Sequence, residues 1–264
     1  MNDINIKKNI IPCNYTKKEN REIKYIVIHY TAGVTSKKGS ALNCAKYTFG
    51  NPDNDISAHY IVDDFDIVQA VEDENVAWHC GAKKYIHPYC RNNNSIGIEI
   101  CSNHDNFLGY DKTLASDPGW YFTDKSLELA AKLTGYLMFK YDIPIYNVIR
   151  HYDVTGKDCP SPMVDENKNG NHNWYAFIQS VIKQHKEYVD LYKNVEDVEK
   201  VETKTYKTLE EIPEWGRSSI KWFVENKYLT GTGDGNLNLS YDLLRMLVIL
   251  HRIIEKGDID GKFS

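Results

Sequence analysis

Ile26-Val27-Ile28-His29-Tyr30-Thr31-Ala32-Gly33 is a β-branched run closed by a glycine turn. A short continuous apolar segment of this kind reads as a buried strand, and its one imidazole sits where the strand ends. Ser95-Ile96-Gly97-Ile98-Glu99-Ile100 is a second apolar strand, carrying a carboxylate. Between them, Ala58 to Val71 reads as a hairpin, with Ile61-Val62 and Ile67-Val68 on either side of the Asp63-Asp64-Phe65-Asp66 turn. Ser40 is expected to cap a short helix through about Phe49. From Thr123 to about Tyr141, Leu127, Leu129, Ala130, Leu133, Leu137 and Met138 recur at helical spacing, and a second helix spans roughly Trp174 to Tyr188. Residues before Ile23 read as a polar, irregular start. The pattern predicts an α/β fold in which a central mixed β-sheet is covered by helices.

Chemistry enters through His29, His151 and Cys159. Two imidazoles and a thiol can hold one zinc ion and leave its fourth position open to a water, whose pKa falls from about 15.7 to roughly 7. Nine His and six Cys make such triples common by chance, so the choice rests on the flanking residues. His151 and Cys159 lie in His151-Tyr152-Asp153-Val154-Thr155-Gly156-Lys157-Asp158-Cys159-Pro160, where the loop after a short apolar strand folds back on itself. Together with Ile26–Gly33, Ser57-Ala58-His59-Tyr60-Ile61-Val62 and Ser95–Ile100, this segment resembles the zinc-dependent N-acetylmuramoyl-L-alanine amidase family, which also includes the peptidoglycan recognition proteins. The resemblance covers roughly residues 20–185, with four motifs in the family's order.

That resemblance implies hydrolysis of the lactyl–L-alanine amide of peptidoglycan with Zn2+ as cofactor. Amide hydrolysis needs a nucleophile, a base, and a positive group where the carbonyl oxygen becomes negative. Glu99, a carboxylate within an apolar run, is the expected general base; a buried salt bridge is the alternative. Lys157, two residues before Cys159, is expected to face the developing oxyanion, the alternative being an ordinary loop lysine. Some family members carry a catalytic tyrosine immediately before the histidine that aligns with His59; this chain has Ala58, which shifts the work to Glu99. His59 is expected as a supporting or substrate-contact residue, and Trp78 and His79 as lining for the glycan or stem peptide, although aromatics of this kind also serve as core. Cys101 follows Glu99 by two and faces the same side. If it reached the metal, the site would be closed and structural.

The chain is long enough to bury one full core and leave a small second unit. The expected division is a catalytic domain over 1–187, a charged linker over 188–205 and a small helical domain over 206–264. Within the last, Glu211–Leu229 and Ser240–Glu255 read as amphipathic helices joined by Thr230–Asn236. The segment Trp215 to Gly235 resembles one S-layer homology module, which implies attachment to a secondary cell-wall polymer; a dimerising appendage, giving a homo-oligomer through 206–264, is the other reading. A formal net charge of −5 with no Lys/Arg run excludes a nucleic-acid footprint. Neither a membrane span nor a signal peptide is visible from Met1 onward, which predicts a protein kept in the host cytoplasm and acting on the wall after release. With the family resemblance, this points to a phage endolysin for a Gram-positive, clostridial-type host. A muropeptide-recycling amidase would have no reason for the tail, and a non-catalytic recognition protein would lack the metal cysteine. Scattered cysteines without a C-x-x-C pair predict reduced thiols. Asp165–Gly170 copies half of a calcium loop, but position twelve is Ala176, so a solvated loop is expected there.

Overall fold

The computed structural model describes residues 4–33, 35–109, 112–164, 174–193, 205–232 and 236–255. The chain divides into two compact units, Met1–Glu196 and Asp197–Ser264. In the first, six strands make one sheet: β1 (Ile6–Lys8), β2 (Tyr25–Tyr30), β3 (Tyr60–Val62), β4 (Ile67–Gln69), β5 (Ser95–Ile100) and β6 (Val148–Arg150). Their order is β1-β4-β3-β5-β2-β6. Neighbours run parallel except at the β3–β4 hairpin. The sheet is therefore mixed, as expected, while β1 corrects the reading of an irregular start. It pairs Ile6 with Ile67 at the sheet edge, and Lys7 and Lys8 keep that edge charged.

Strand alternation sorts the central residues onto two faces. Ile26, Ile28 and Tyr30 of β2 and Ile96, Ile98 and Ile100 of β5 share a buried cluster with Leu133, Leu137, Phe177 and Val181. Those last four belong to α2 (Asp124–Tyr141) and α4 (Trp174–Lys193), the two long helices. Each fully buried isoleucine contributes about 1.5–3 kcal/mol as an upper bound. The helices approach closely at Gly135, where a Cβ would lie 2.7 Å from the backbone nitrogen of His185. Thr123 caps α2 by accepting from the Ser126 N–H.

Among the described residues, the other face, which receives Val27, His29, Gly97 and Glu99, has no long helix packed on it. Instead, Val27 packs with Cys80, Cys90 and Val154, while Ile61 and Val68 pack with Ala41, Cys44 and Cys101. There α1 (Ser40–Asn43) runs into π-helical turns over Cys44–Phe49. Its cap residue is Gly39, not the expected Ser40, and the Ala41 N–H donates to the buried Asp63 carboxylate at 3.0 Å.

Helix α4 continues to Lys193 instead of stopping near Tyr188, so the expected boundary at 187/188 falls inside a helix. The rest of the expected linker, 194–204, and the calcium-loop-like stretch at 165–170 lie outside the described residues. In the second unit, α5 (Glu214–Glu225) and α6 (Tyr241–Glu255) enclose Ile212, Ile220, Leu244 and Val248 with Tyr206 and Leu239. A short antiparallel pair, Thr205–Tyr206 with Leu239–Ser240, accompanies them and was not expected.

Candidate metal centre and cleft

Parallel pairing of β6 with β2 aligns Arg150 with Ile28. The residue that follows in each segment is a histidine, so His151, just past the end of β6, emerges beside His29, their ring centroids 4.7 Å apart. His151 begins the short helix α3 (His151–Thr155). Arg150 and Asp153 brace that turn with a 2.9 Å ion pair, and Asp153 accepts from the Arg150 N–H at 2.8 Å. The chain then doubles back, and the Tyr152 N–H donates to the Cys159 carbonyl at 2.8 Å. Two strand ends and one return thus bring three ligand types to one buried point.

Their geometry fits zinc. The ligand atoms of His29, His151 and Cys159 lie within 4.8 Å of one another. Cys159 Sγ is 3.7 Å from His29 Nδ1. Tetrahedral bonds of about 2.05 Å to nitrogen and 2.3 Å to sulfur would set that separation near 3.5 Å. His151 Nδ1 is buried without a hydrogen-bonding partner. Burial pushes the His29 imidazole well below its ordinary range and His151 down to about 3, with the Lys157 charge acting the same way on both. Both rings are thereby held neutral, as metal ligation requires. Burial, with Glu99 second, raises the Cys159 thiol, so its ligating form needs a cation beside it.

Glu99 stands opposite His29 in the β2–β5 register. Its Oε2 is buried and unpartnered. The salt bridge held open as its alternative is absent among the described residues. Burial pushes its carboxyl up to about 8, and Lys157 opposes the shift. Lys157 is exposed and lines the cleft with His29, Glu99, His151 and Cys159. This cleft, about 200 Å³, adjoins a groove of about 570 Å³, and Trp78, His79, His151 and Lys157 line both. Beyond the point where the three candidate ligands converge, the groove continues past Gly81, Lys83, Lys84 and Asn92.

Three expectations need separate treatment. His59 is fully buried and does not line the cleft, which corrects the substrate-contact reading. Its Nδ1 accepts from the Gly97 N–H at 3.0 Å, and its Nε2 lies 3.1 Å from the Asn75 carbonyl, so the ring is a fixed support under His79. Trp78 faces the cleft and donates from Nε1 to Thr16 Oγ1 at 3.0 Å. Cys101 packs with Cys44 and Ala41 and is not part of the ligand cluster; all six cysteines are free thiols.

Sequence reasoning missed Arg21, whose Nε donates to the Asp73 carbonyl at 2.7 Å and whose Nη1 donates to those of Asn92 and Ser95, each at 3.0 Å. It ties the segment carrying Trp78 and His79 to β5. No sequence signal marks it. Gly97 was also missed, although a glycine inside a strand pattern signals close approach. A Cβ there would meet His79 Cγ at 2.6 Å.

Comparison with known proteins is consistent with this geometry. The family described as N-acetylmuramoyl-L-alanine amidase matches residues 19–162, more than half of the chain. The N-acetylmuramoyl-L-alanine amidase CwlH of Bacillus subtilis (strain 168) is 30% identical over 180 residues, covering 67% of this chain and 61% of that protein. XlyA of the same organism, also an N-acetylmuramoyl-L-alanine amidase, is 33% identical over 141 residues, covering 53% and 40%. The chain thus spans about three fifths or less of the length of these curated relatives. The solved catalytic domain of XlyA superposes with a TM-score of 0.52 at 29% identity, covering 67% of this chain and 99% of that domain.

Proposed function

The chain belongs to the N-acetylmuramoyl-L-alanine amidase family, and from that premise we propose that it hydrolyses the lactyl–L-alanine amide of peptidoglycan at a zinc held by His29, His151 and Cys159. The observation that carries this is the convergence of two neutral imidazoles and a thiol on one buried point beside an unpartnered carboxylate. Zinc in a three-ligand site supplies a Lewis acid and an acidified water with a pKa of roughly 7. Glu99 takes the proton of the attacking water and passes it to the leaving amine. Burial raises the proton affinity of this carboxyl above that of a free carboxylate, and the Lys157 charge opposes the shift and favours the ionised form that accepts a proton. Lys157 sets its ammonium where the carbonyl oxygen gains charge. The long groove accepts the polymer on either side of the scissile bond, with Trp78 along its wall.

Residues 197–264 are assigned to attachment, on a secondary wall polymer of a Gram-positive host, and the whole enzyme to lysis of that wall after release from the host cytoplasm. The resemblance of Trp215–Gly235 to an S-layer homology module supports the first. Pairing of two copies through the same unit is the competing role.

The test is chemical. Digestion of a susceptible wall should release stem peptides with free L-alanine amino termini and generate no new reducing sugars, because among the described residues the cleft is lined by one carboxylate, Glu99, and not by the pair that glycoside cleavage uses. The active protein should carry about one zinc, and a chelator should abolish turnover. New reducing ends without new alanine termini, or full activity in zinc-free protein, would overturn the assignment.

A further inference from the structure

His79 does more than line the cleft. Its Nδ1 lies 3.0 Å from His29 Nε2, and its own Nε2 lies 3.1 Å from Ser95 Oγ. The direction of this chain of contacts can be read from its far end. Ser95 Oγ donates its one proton to the Arg91 carbonyl at 2.7 Å, a bond that cannot run the other way. Toward His79 the same oxygen can then only accept, which places the single N–H of a neutral imidazole at this position on Nε2. That leaves His79 Nδ1 as an acceptor, and the group facing it, His29 Nε2, must be the donor. His29 is thereby fixed with a lone pair on Nδ1, the nitrogen that lies 3.7 Å from Cys159 Sγ.

We propose that His79 is the positioning residue that selects the ligating tautomer of His29 and aims its Nδ1 at the metal, with Ser95 and the Arg91 carbonyl setting the direction of the relay. Gly97 makes the arrangement possible. The imidazole lies against β5 where a Cβ at Gly97 would come within 2.6 Å of Cγ and 2.8 Å of Nδ1, so only a glycine lets the ring reach His29. From below, His59 and Arg21 hold the floor on which His79 rests. A partner on the distal nitrogen of a ligating histidine orients the ring and strengthens the ligand, and its loss weakens metal affinity by about 10–100-fold.

This inference rests on the zinc reading of the site. Its test compares two polar replacements in the full-length chain. In His79→Asn the side-chain oxygen can occupy the place of Nδ1 and still accept from His29. In His79→Gln the amide reaches toward Ser95 and leaves His29 without its acceptor. Zinc affinity, measured by competition with a chromophoric chelator, should fall about 10–100-fold in the Gln variant and stay within about threefold of wild type in the Asn variant. Circular dichroism and thermal melting verify that both are folded. An independent readout is the two-bond nitrogen–proton NMR correlation of His29, which should report the Nε2-protonated tautomer in wild type and in His79→Asn. Equal affinity in all three proteins, or an equal loss in both variants, would overturn the proposal, the second result meaning that the ring matters only for packing. A wild-type protein that binds no zinc would remove the metal reading itself, a failure distinguishable from unchanged affinity in the Gln variant.

Discussion

Glu99 is the residue on which the chemistry and the electrostatics of this fold meet. If it is the proton acceptor proposed above, its conversion to Gln should lower turnover by about 10²–10³-fold while zinc content stays near one per chain. A rate within a few-fold of wild type would make it structural. The same side chain should also leave a mark on stability in the zinc-free protein. Its carboxyl is raised from 4.5 to about 8, so the folded state prefers the protonated form. The stability this contributes is complete below about 4.5 and is lost as pH rises through 8. His29 and His151 act in the opposite sense. Their folded values lie below 6.5, so folding gains stability as pH rises toward that value and nothing further above it. Comparing wild type with Glu99→Gln cancels the histidine contributions. Melting of the zinc-free proteins should therefore show the variant gaining on wild type progressively from about pH 5 to about pH 9, and a pH-independent difference would show that the burial of Glu99 is not felt.

At the scale of elements, the legible parts are those whose periodicity their packing enforces. Ile26, Ile28, Ile96 and Ile98 alternate into one core, and Leu133 and Leu137 recur at helical spacing because α2 lies on that core. Strand β1 escaped because it has three residues, two of them exposed lysines, and only its pairing with β4 makes it a strand. The end of α4 was misplaced because charge at Asp190 and Lys193 reads like linker composition, although Tyr188 is buried within the helix. His29, His151 and Cys159, the proposed ligands, were each singled out from local flanks, and the structure brings the three together. The relay through His79 could not, because register and the missing Cβ of Gly97 join residues fifty positions apart. Asp63 illustrates the same limit. As a turn residue it was legible, but it also joins two elements: its Oδ1 accepts from the Phe65 and Asp66 N–H groups, each at 2.8 Å, and its Oδ2 from Ala41 at the start of α1. Asp63→Ala strands three donors around a fully buried site, so unfolding free energy should fall by about 3 kcal/mol in denaturant titrations. A loss below about 0.5 kcal/mol would mean that water or a shifted backbone replaces the carboxylate.

For the whole molecule, the division into Met1–Glu196 and Asp197–Ser264 separates every proposed site residue from the tail. The position of the cut matters, because α4 runs through Tyr188, whose ring meets Tyr136 of α2 at 5.6 Å. A chain ending at 196 should keep its zinc and its activity on small soluble muropeptides. One ending at 187 loses Tyr188 and the last turns of α4, and should melt measurably lower; equal melting would place the domain boundary back at 187. The shorter protein then tests what the tail is for. If residues 197–264 bind the wall, the truncation at 196 loses affinity for intact walls, because tethering raises the local concentration of enzyme at its substrate. If they pair two chains, the contact surface is on α6, where Leu243, Met246 and Ile249 recur every three residues and remain 38%, 65% and 38% exposed. In that case the full chain sediments as an oligomer, truncation gives a monomer, and Met246→Lys alone has the same effect, since a buried unpaired charge is costly at an apolar contact. Sedimentation beside a wall pull-down discriminates the two: wall binding that survives truncation excludes attachment, and a monomeric full-length chain excludes pairing.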